Sequence, residues 1–193
     1  MKLGTSIFAL VIVAGLSSVG CVHSASTQLQ KDVETARAER DPVKLFEYGV
    51  SFRQVGDLTR AEQYLNAALE AGADEKKVFP VLLDVCIADR RYRSGVNYTE
   101  DYLKKHPMDY RLRFVLATLY SALDEQEHAK SELERVIAAD PNVADAHYML
   151  AVLLRDYFAE LQGADAQFRE YLRLEPHGGH QEEAHGSLLS RVE

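Results

Sequence analysis

The chain has no tryptophan, only two cysteines in 193 residues, and fewer basic than acidic residues, 22 against 30, for a formal net charge of −8. The shortage of cations excludes indiscriminate binding to nucleic acid, which needs a basic face to displace counterions. Beyond the N-terminus no apolar run is long enough to cross a bilayer. A glycine-rich phosphate loop, a nucleophile elbow and a carboxylate pair that spacing assigns to one cleft are all missing. The expectation is therefore a protein that is not an enzyme, with no catalytic residue, no metal, no nucleic-acid partner and no small-molecule substrate. Apolar carbon is plentiful: at 47% hydrophobic residues the chain has ample material for a packed core, and its length suggests one folded domain.

The first segment, MKLGTSIFALVIVAGLSSVGC, is different material. It has a single Lys2, an apolar run from Ile7 to Leu16, then small residues. This reads as a secretory signal, too short for a stable membrane span, and it is set aside from the fold. Its end, Ser18-Val19-Gly20-Cys21, resembles the lipobox of bacterial lipoproteins, in which the cysteine thiol is diacylated and the cysteine becomes the new N-terminus. Gly20 supplies the small residue before the thiol, whereas Ser18 stands where that family usually has leucine. An ordinary cleaved signal and an uncleaved anchor are the alternatives. The lipobox resemblance implies a signal peptide over 1–20, a lipidated Cys21 and tether over 21–26, and no cofactor besides covalent diacylglycerol and an N-acyl chain on Cys21. Each acyl chain adds about 0.8 kcal/mol per buried methylene, and firm anchoring takes at least two chains. Val22, a residue other than Asp after the cysteine, implies the periplasmic face of the outer membrane. Cys86 is then left without a disulfide partner. Cleavage before Cys21 removes one lysine and no acid, taking the net charge from −8 to −9.

The remainder is periodic. Pro107 and Pro141 lie 34 residues apart, and Pro176 follows 35 further on. A small residue stands twelve before each proline, at Gly95, Ala129 and Ala164, and the same position recurs at Ala61. Four residues after it come Leu65, Leu133 and Phe168, with Thr99 as the exception; nine before it come Phe52, Cys86 and Tyr120, with Leu154 one step out of phase. This pattern resembles the tetratricopeptide repeat. The first copy, 42–75, carries Leu45, Tyr48-Gly49, Phe52, Gly56, Leu58, Ala61, Leu65 and Ala68 at the family positions, with Ala73 in place of the proline. The second has Phe79, Leu82, Cys86, Tyr92, Gly95, Tyr102 and Pro107; the third Leu116-Ala117, Tyr120, Ala129, Leu133, Val136 and Pro141; the fourth His147, Leu150-Ala151, Leu154, Ala164, Phe168, Tyr171 and Pro176. One residue is inserted near 157–163, where an inter-helix turn is expected. The resemblance implies an all-α, right-handed α-solenoid of about four helix hairpins over 42–178.

Local physics points the same way. Ala129, Leu133, Val136 and Ile137 fall on one helical face. The small residues admit close helix approach. Each proline is expected to end a second helix and to suit the first turn of the next. Asp74 and Asp140 are expected at turns or caps. Pro80 predicts a delayed or distorted helix start near Lys77 or Val78. A polar helix over 27–41, with Leu29, Val33 and Ala36 on one face, and a final helix over 179–193, with Ala184, Leu188 and Val192 on one face, are expected to cap the two ends.

In the tetratricopeptide family the first helix of each pair lines a concave groove, and this resemblance assigns the partner site. Its fifth position holds Phe46, Pro80, Phe114 and Tyr148; one turn on come Val50, Asp84, Thr118 and Val152; the outer turn adds Arg53, Ile87, Ser121 and Arg155. Packing between helices is the alternative for some of these side chains. If exposed, the ladder suits an amphipathic helix or an extended apolar peptide. The one-turn-on position lacks Asn throughout, which argues against the acidic tails of heat-shock chaperones. His177, His180 and His185 are too loosely spaced for a metal site, and Cys86 falls at a core position that favours an inert thiol. The expected function is a lipid-anchored protein-binding scaffold that assists assembly of a secretion or pilus complex, as pilotins do; an adaptor for peptidoglycan enzymes or a part of the outer-membrane protein assembly machinery is the runner-up.

Overall fold

A computed structural model describes residues 31, 34 and 38–189. The signal segment, Cys21, the tether, the expected face of Leu29, Val33 and Ala36, and Val192 lie outside the described residues. Lys31, Glu34 and Ala38 are helical. Between residues 42 and 186 run nine helices: α1 Pro42–Gln54, α2 Leu58–Glu70, α3 Glu75–Ala88, α4 Tyr92–Lys105, α5 Tyr110–Ala122, α6 Gln126–Ala139, α7 Ala144–Asp156, α8 Leu161–Leu174 and α9 Gln181–Gly186. Among the described residues there is no strand. The first eight form four antiparallel hairpins stacked in chain order, and α9 packs on α8. The result is an α-solenoid of helix hairpins.

The hairpins close on the small residues. Ala61, Ala129 and Ala164 are buried with Gly95 at the heart of each pair. In the first hairpin the approach is tight from both sides: a Cβ on Gly49 would come within 2.7 Å of the Leu65 side chain. Stacking then buries each hairpin against its neighbours. Two groups of core residues run end to end and meet on α3, whose Val78, Leu82 and Val85 join the first hairpin while Phe79 and Leu83 join the third. This is the quasi-one-dimensional core of a repeat protein.

The turns repeat as faithfully as the helices. Gly56, Arg90, Asp124 and Ala159 occupy equivalent places in the four hairpin turns and all have positive φ, 79°, 56°, 62° and 54°. In the first three, the following N–H reaches back five residues, as in Asp57 N to the Phe52 carbonyl at 2.9 Å, which is the Schellman closure of a helix end. The inserted residue lies in the fourth turn, between α7 and α8. Asp41, Asp57, Asp74 and Asp109 accept from backbone N–H groups at the starts of α1, α2, α3 and α5. Asp140 serves a turn instead, accepting from Asn142 N at 3.0 Å.

Three expectations are corrected. The α3 helix starts on time at Glu75 with Asp74 as its cap, and Pro80 sits inside it. The bond lost at Pro80 frees the Lys76 carbonyl on a turn where Lys76, Lys77 and Pro80 are all exposed. Pro107, Pro141 and Pro176 each stand two residues past the end of α4, α6 and α8 and never enter the next helix, so they act as stops only. The final helix ends at Gly186, and Leu188 packs on the core from beyond it. At the first joint, where proline is missing, Gly72 at φ 91° ends α2, with Ala73 N bonded to the Ala68 carbonyl at 2.9 Å.

Two substitutions follow from local conflicts. Thr99 is fully buried, and its hydroxyl has no hydrogen-bond partner among the described residues. Thr99→Val keeps the shape and removes the orphan, so urea denaturation is expected to show a gain of about 1 kcal/mol; a loss would mean the hydroxyl is bonded. Ala159→Gly relieves a left-handed alanine and is expected to raise the unfolding midpoint by an amount equivalent to about 0.5–1 kcal/mol.

Candidate functional site

The twelve groove residues assigned from the sequence all lie on the first helices of the hairpins, α1, α3, α5 and α7, and none belongs to the fully buried class. Phe46, Phe114 and Tyr148 are half-buried, packed on the core with part of each ring accessible; Pro80 and Ile87 are exposed. Phe46, Phe114, Tyr148 and Val152 both pack on the core and keep part of their surface accessible. The helix repeat makes this happen: residues 34 apart occupy the same point of the same face in successive hairpins.

The structure brings some of these residues together. Arg53 Nε donates to Asp84 Oδ2 at 2.5 Å across α1 and α3, and the pair raises the affinity of the guanidinium for its proton. Both are about half exposed, 44% and 49%, so the contact is a screened surface pair of small worth. It neutralises the groove floor beside Val50. Thr118 turns its hydroxyl onto the Val115 carbonyl of its own helix at 2.7 Å.

The last rung is not open. Tyr148 stacks on His180 with ring centroids 3.8 Å apart and donates its hydroxyl to Glu183 Oε2 at 2.6 Å. Burial first, and the Glu183 carboxylate second, push the Tyr148 phenol up to about 12. Arg155 donates to Glu183 at 2.9 Å, to Ser187 at 2.6 Å and to Asp156. Glu183 follows Tyr148 by one repeat interval, so α9 stands where the first helix of a fifth hairpin would begin. Sequence reading placed Ala184 and Leu188 in this cap but missed the polar clasp, because a lone glutamate in an acidic stretch carries no signal until its register is extended past the fourth repeat.

Three clefts open on the face. The first, of about 410 Å³, is walled by Pro42, Val43, Phe46, Ala73, Val78 and Lys77. A second, of about 260 Å³, lies at the equivalent place two repeats on, under Tyr110, Arg111, Phe114, Val143 and Asp145. A third, of about 250 Å³, lies between α5 and α7 under Tyr148, Met149, Val152 and Tyr157. Cys86 is fully buried, and burial pushes its thiol up to about 11, far from a reactive thiolate. Among the described residues no group of three or more His, Cys, Asp or Glu is placed to hold a metal.

Known proteins share this arrangement of helices. The family model described as Tetratricopeptide repeat matches residues 110–143, the third hairpin and its joint. Solved structures of tetratricopeptide-repeat proteins superpose on most of the chain. YrrB, described as "a TPR protein with an unusual peptide-binding site", is 17% identical over 86% of this chain and 87% of its own, with a TM-score of 0.65. A tetratricopeptide repeat protein from Parabacteroides merdae ATCC 43184 is 19% identical over 76% of this chain and 58% of its own, with a TM-score of 0.67. MamA from Desulfovibrio magneticus RS-1 is 17% identical over 82% of this chain and 93% of its own, with a TM-score of 0.61. No curated protein matches the chain. The chain has the tetratricopeptide-repeat fold, and at these identities the likeness extends to fold alone.

The Tyr148 hydroxyl and Arg155 hold the Glu183 carboxyl below the usual range. A depressed carboxyl stabilises the cap above its unfolded value of 4.5 and loses that contribution as pH falls through the folded value. Amide protection over 181–189, corrected for intrinsic exchange, is therefore expected to be present at neutral pH and to drop in acid. Glu183→Ala is expected to show the low protection already at neutral pH, with protection in α5 and α6 unchanged.

Proposed function

We propose that this protein is a non-catalytic scaffold that holds a protein or peptide partner against the face formed by α1, α3, α5 and α7. The observation that carries this is the pair of equivalent clefts beneath Phe46 and Phe114, each half-buried and roofed by no other described residue segment. Apolar clefts with partly exposed aromatic rims are what anchor residues of a partner fill. The peptide-binding site described for YrrB agrees with a partner of this kind.

The finer reading concerns place and client. The Ser18-Val19-Gly20-Cys21 box supports lipidation at Cys21 and attachment to the periplasmic face of the outer membrane. A short solenoid with an apolar face, held at that surface, suits an amphipathic client segment during assembly of a secretion or pilus complex, as pilotins do. The adaptor role for cell-wall enzymes differs only in the partner.

Cys21→Ala is expected to abolish incorporation of labelled palmitate and to release the protein from washed membranes. Labelling that persists in the variant overturns the anchor. A photo-crosslinking residue at Phe114 in the native cell, followed by mass spectrometry, separates the two client classes: a secretin subunit supports the assembly role, and peptidoglycan enzymes support the adaptor role.

A further inference from the structure

The two clefts beneath Phe46 and Phe114 are the same piece of the repeat, two hairpins apart, and the place between them is built differently. In the first cleft Pro42, Val43, Phe46, Gly72 and Lys77 stand where the second has Tyr110, Arg111, Phe114, Asp140 and Asp145. Their counterparts on the middle hairpin are Lys76, Lys77, Pro80, His106 and Arg111. Pro80 is exposed and flat where the neighbours have phenylalanine. The rest of this middle rung is basic.

These cations are unusual in a chain of net charge −8. Most of its other described lysines and arginines reach a carboxylate, as Arg93, Lys105, Lys130 and Arg155 do. The side chains of Lys76, Lys77 and Arg111 are exposed and make no ion pair with a described residue. They also stand in the first turns of α3 and α5, where the helix macrodipole disfavours positive charge. Three cations are thus held where neither a partner nor the helix field stabilises them. The nearby carboxylates make no ion pair with them: Asp74, Asp109 and Asp140 accept from Lys76 N, Leu112 N and Asn142 N, Glu75 accepts from Lys105, and Glu47 and Asp145 line the same clefts as Lys77 and Arg111.

We propose that the groove takes an extended peptide with an apolar–acidic–apolar pattern, its two apolar side chains in the clefts beneath Phe46 and Phe114 and its carboxylates on Lys77 and Arg111 between them. This rests on the scaffold reading above and names the chemistry of its partner. Charge complementarity selects the occupant: apolar side chains fill clefts of about 410 and 260 Å³, and only an acid stabilises the middle rung. Glu47 and Asp145 repel acids placed beyond the middle. Neighbouring helices step by about 10 Å, so the clefts are roughly 20 Å apart, which an extended chain at about 3.3 Å per residue spans in about six residues.

The test is fluorescence anisotropy of the purified full chain with a labelled synthetic peptide carrying two phenylalanines about six residues apart and three aspartates between them, against the same peptide with lysines between. The acidic peptide is expected to bind at least about tenfold tighter than the basic one, a difference of about 1.4 kcal/mol, and to weaken with salt. Lys77→Glu with Arg111→Glu is expected to cut its affinity at least about tenfold without lowering the circular-dichroism melt, since both side chains are exposed and acids suit the first turn of a helix. Equal binding of the two peptides, or indifference to the charge reversals, overturns the proposal. So does failure of both peptides while phosphatidylglycerol vesicles bind through Lys77 and Arg111, which assigns the basic rung to a lipid surface. If no peptide binds but crosslinking from Phe114 captures a protein, the scaffold reading stands and this inference falls; if nothing is captured either, both fall.

Discussion

Everything in this solenoid depends on the closeness with which the two helices of each hairpin approach. At Ala61, Gly95, Ala129 and Ala164 the second helix offers one carbon or none, and all four are buried. A larger side chain there would push the helices apart, open the seam that Leu65, Leu133 and Phe168 fill at 0% exposure, and forfeit dispersion contacts along its whole length. Because each hairpin buries its apolar face only against its neighbours, the error would pass to the adjoining seam. Gly49 shows how little slack remains: its missing Cβ is the space that Leu65 occupies. The hairpin is a rigid unit, and rigid equal units are what place residues 34 apart on one line.

That regularity divides the labour. Backbone geometry gives every hairpin the same site, so what a site does is decided by its departures from the repeat. Phenylalanine at the first and third rungs leaves apolar clefts; proline and lysine at the second give a flat basic step; tyrosine and arginine at the fourth are consumed by Glu183 and His180 of the cap. The face is therefore polar in the directional sense: the clefts beneath Phe46 and Phe114 are free of the cap, whereas Tyr148 and Arg155 of α7 are engaged by it. A partner that enters it meets a fixed order of apolar, basic and apolar surface rather than four equal rungs.

The helices, their hairpin pairing and the residues of the core were legible in the sequence because they rest on period and size, which survive as residue types at fixed intervals. Pro107, Pro141 and Pro176 marked the joints; the joint without a proline was ended by Gly72, legible only as a left-handed position once the chain is folded. The positive φ at Arg90 and Ala159 was not legible at all, since neither residue prefers it, and tertiary closure of the hairpin imposes it. Pro80 misled in the other direction: its cost depends on whether the freed carbonyl reaches water, and that is a property of the exposed first turns of α3. In the groove, spacing put these residues on the first helices of the hairpins but said nothing of which were already engaged. Register has no means of showing that Tyr148 and Arg155 meet a cap while Phe46 borders a cleft.

One pair of positions shows how far the repeats have drifted while keeping the same geometry. The fourth position of the first helix and the facing position of the second hold Leu45 with Tyr64, Phe79 with Tyr98, Arg113 with Glu132, and His147 with Gln167. The first two pairs are apolar and aromatic. The last two are bonded: Arg113 to Glu132 Oε2 at 2.9 Å, and His147 Nδ1 to Gln167 Oε1 at 2.6 Å. Both polar residues also reach the carbonyl of the proline six before them, Arg113 to Pro107 at 2.9 Å and His147 Nε2 to Pro141 at 3.0 Å. The proline carbonyl at each of these joints finds its partner in that side chain of the following helix. Phe79 stands after the joint that has alanine in place of proline, and the position there is apolar. The polar pair and the proline belong together, so the third and fourth hairpins are one sub-type of the repeat and the first and second another, and the basic rung lies where the two sub-types meet.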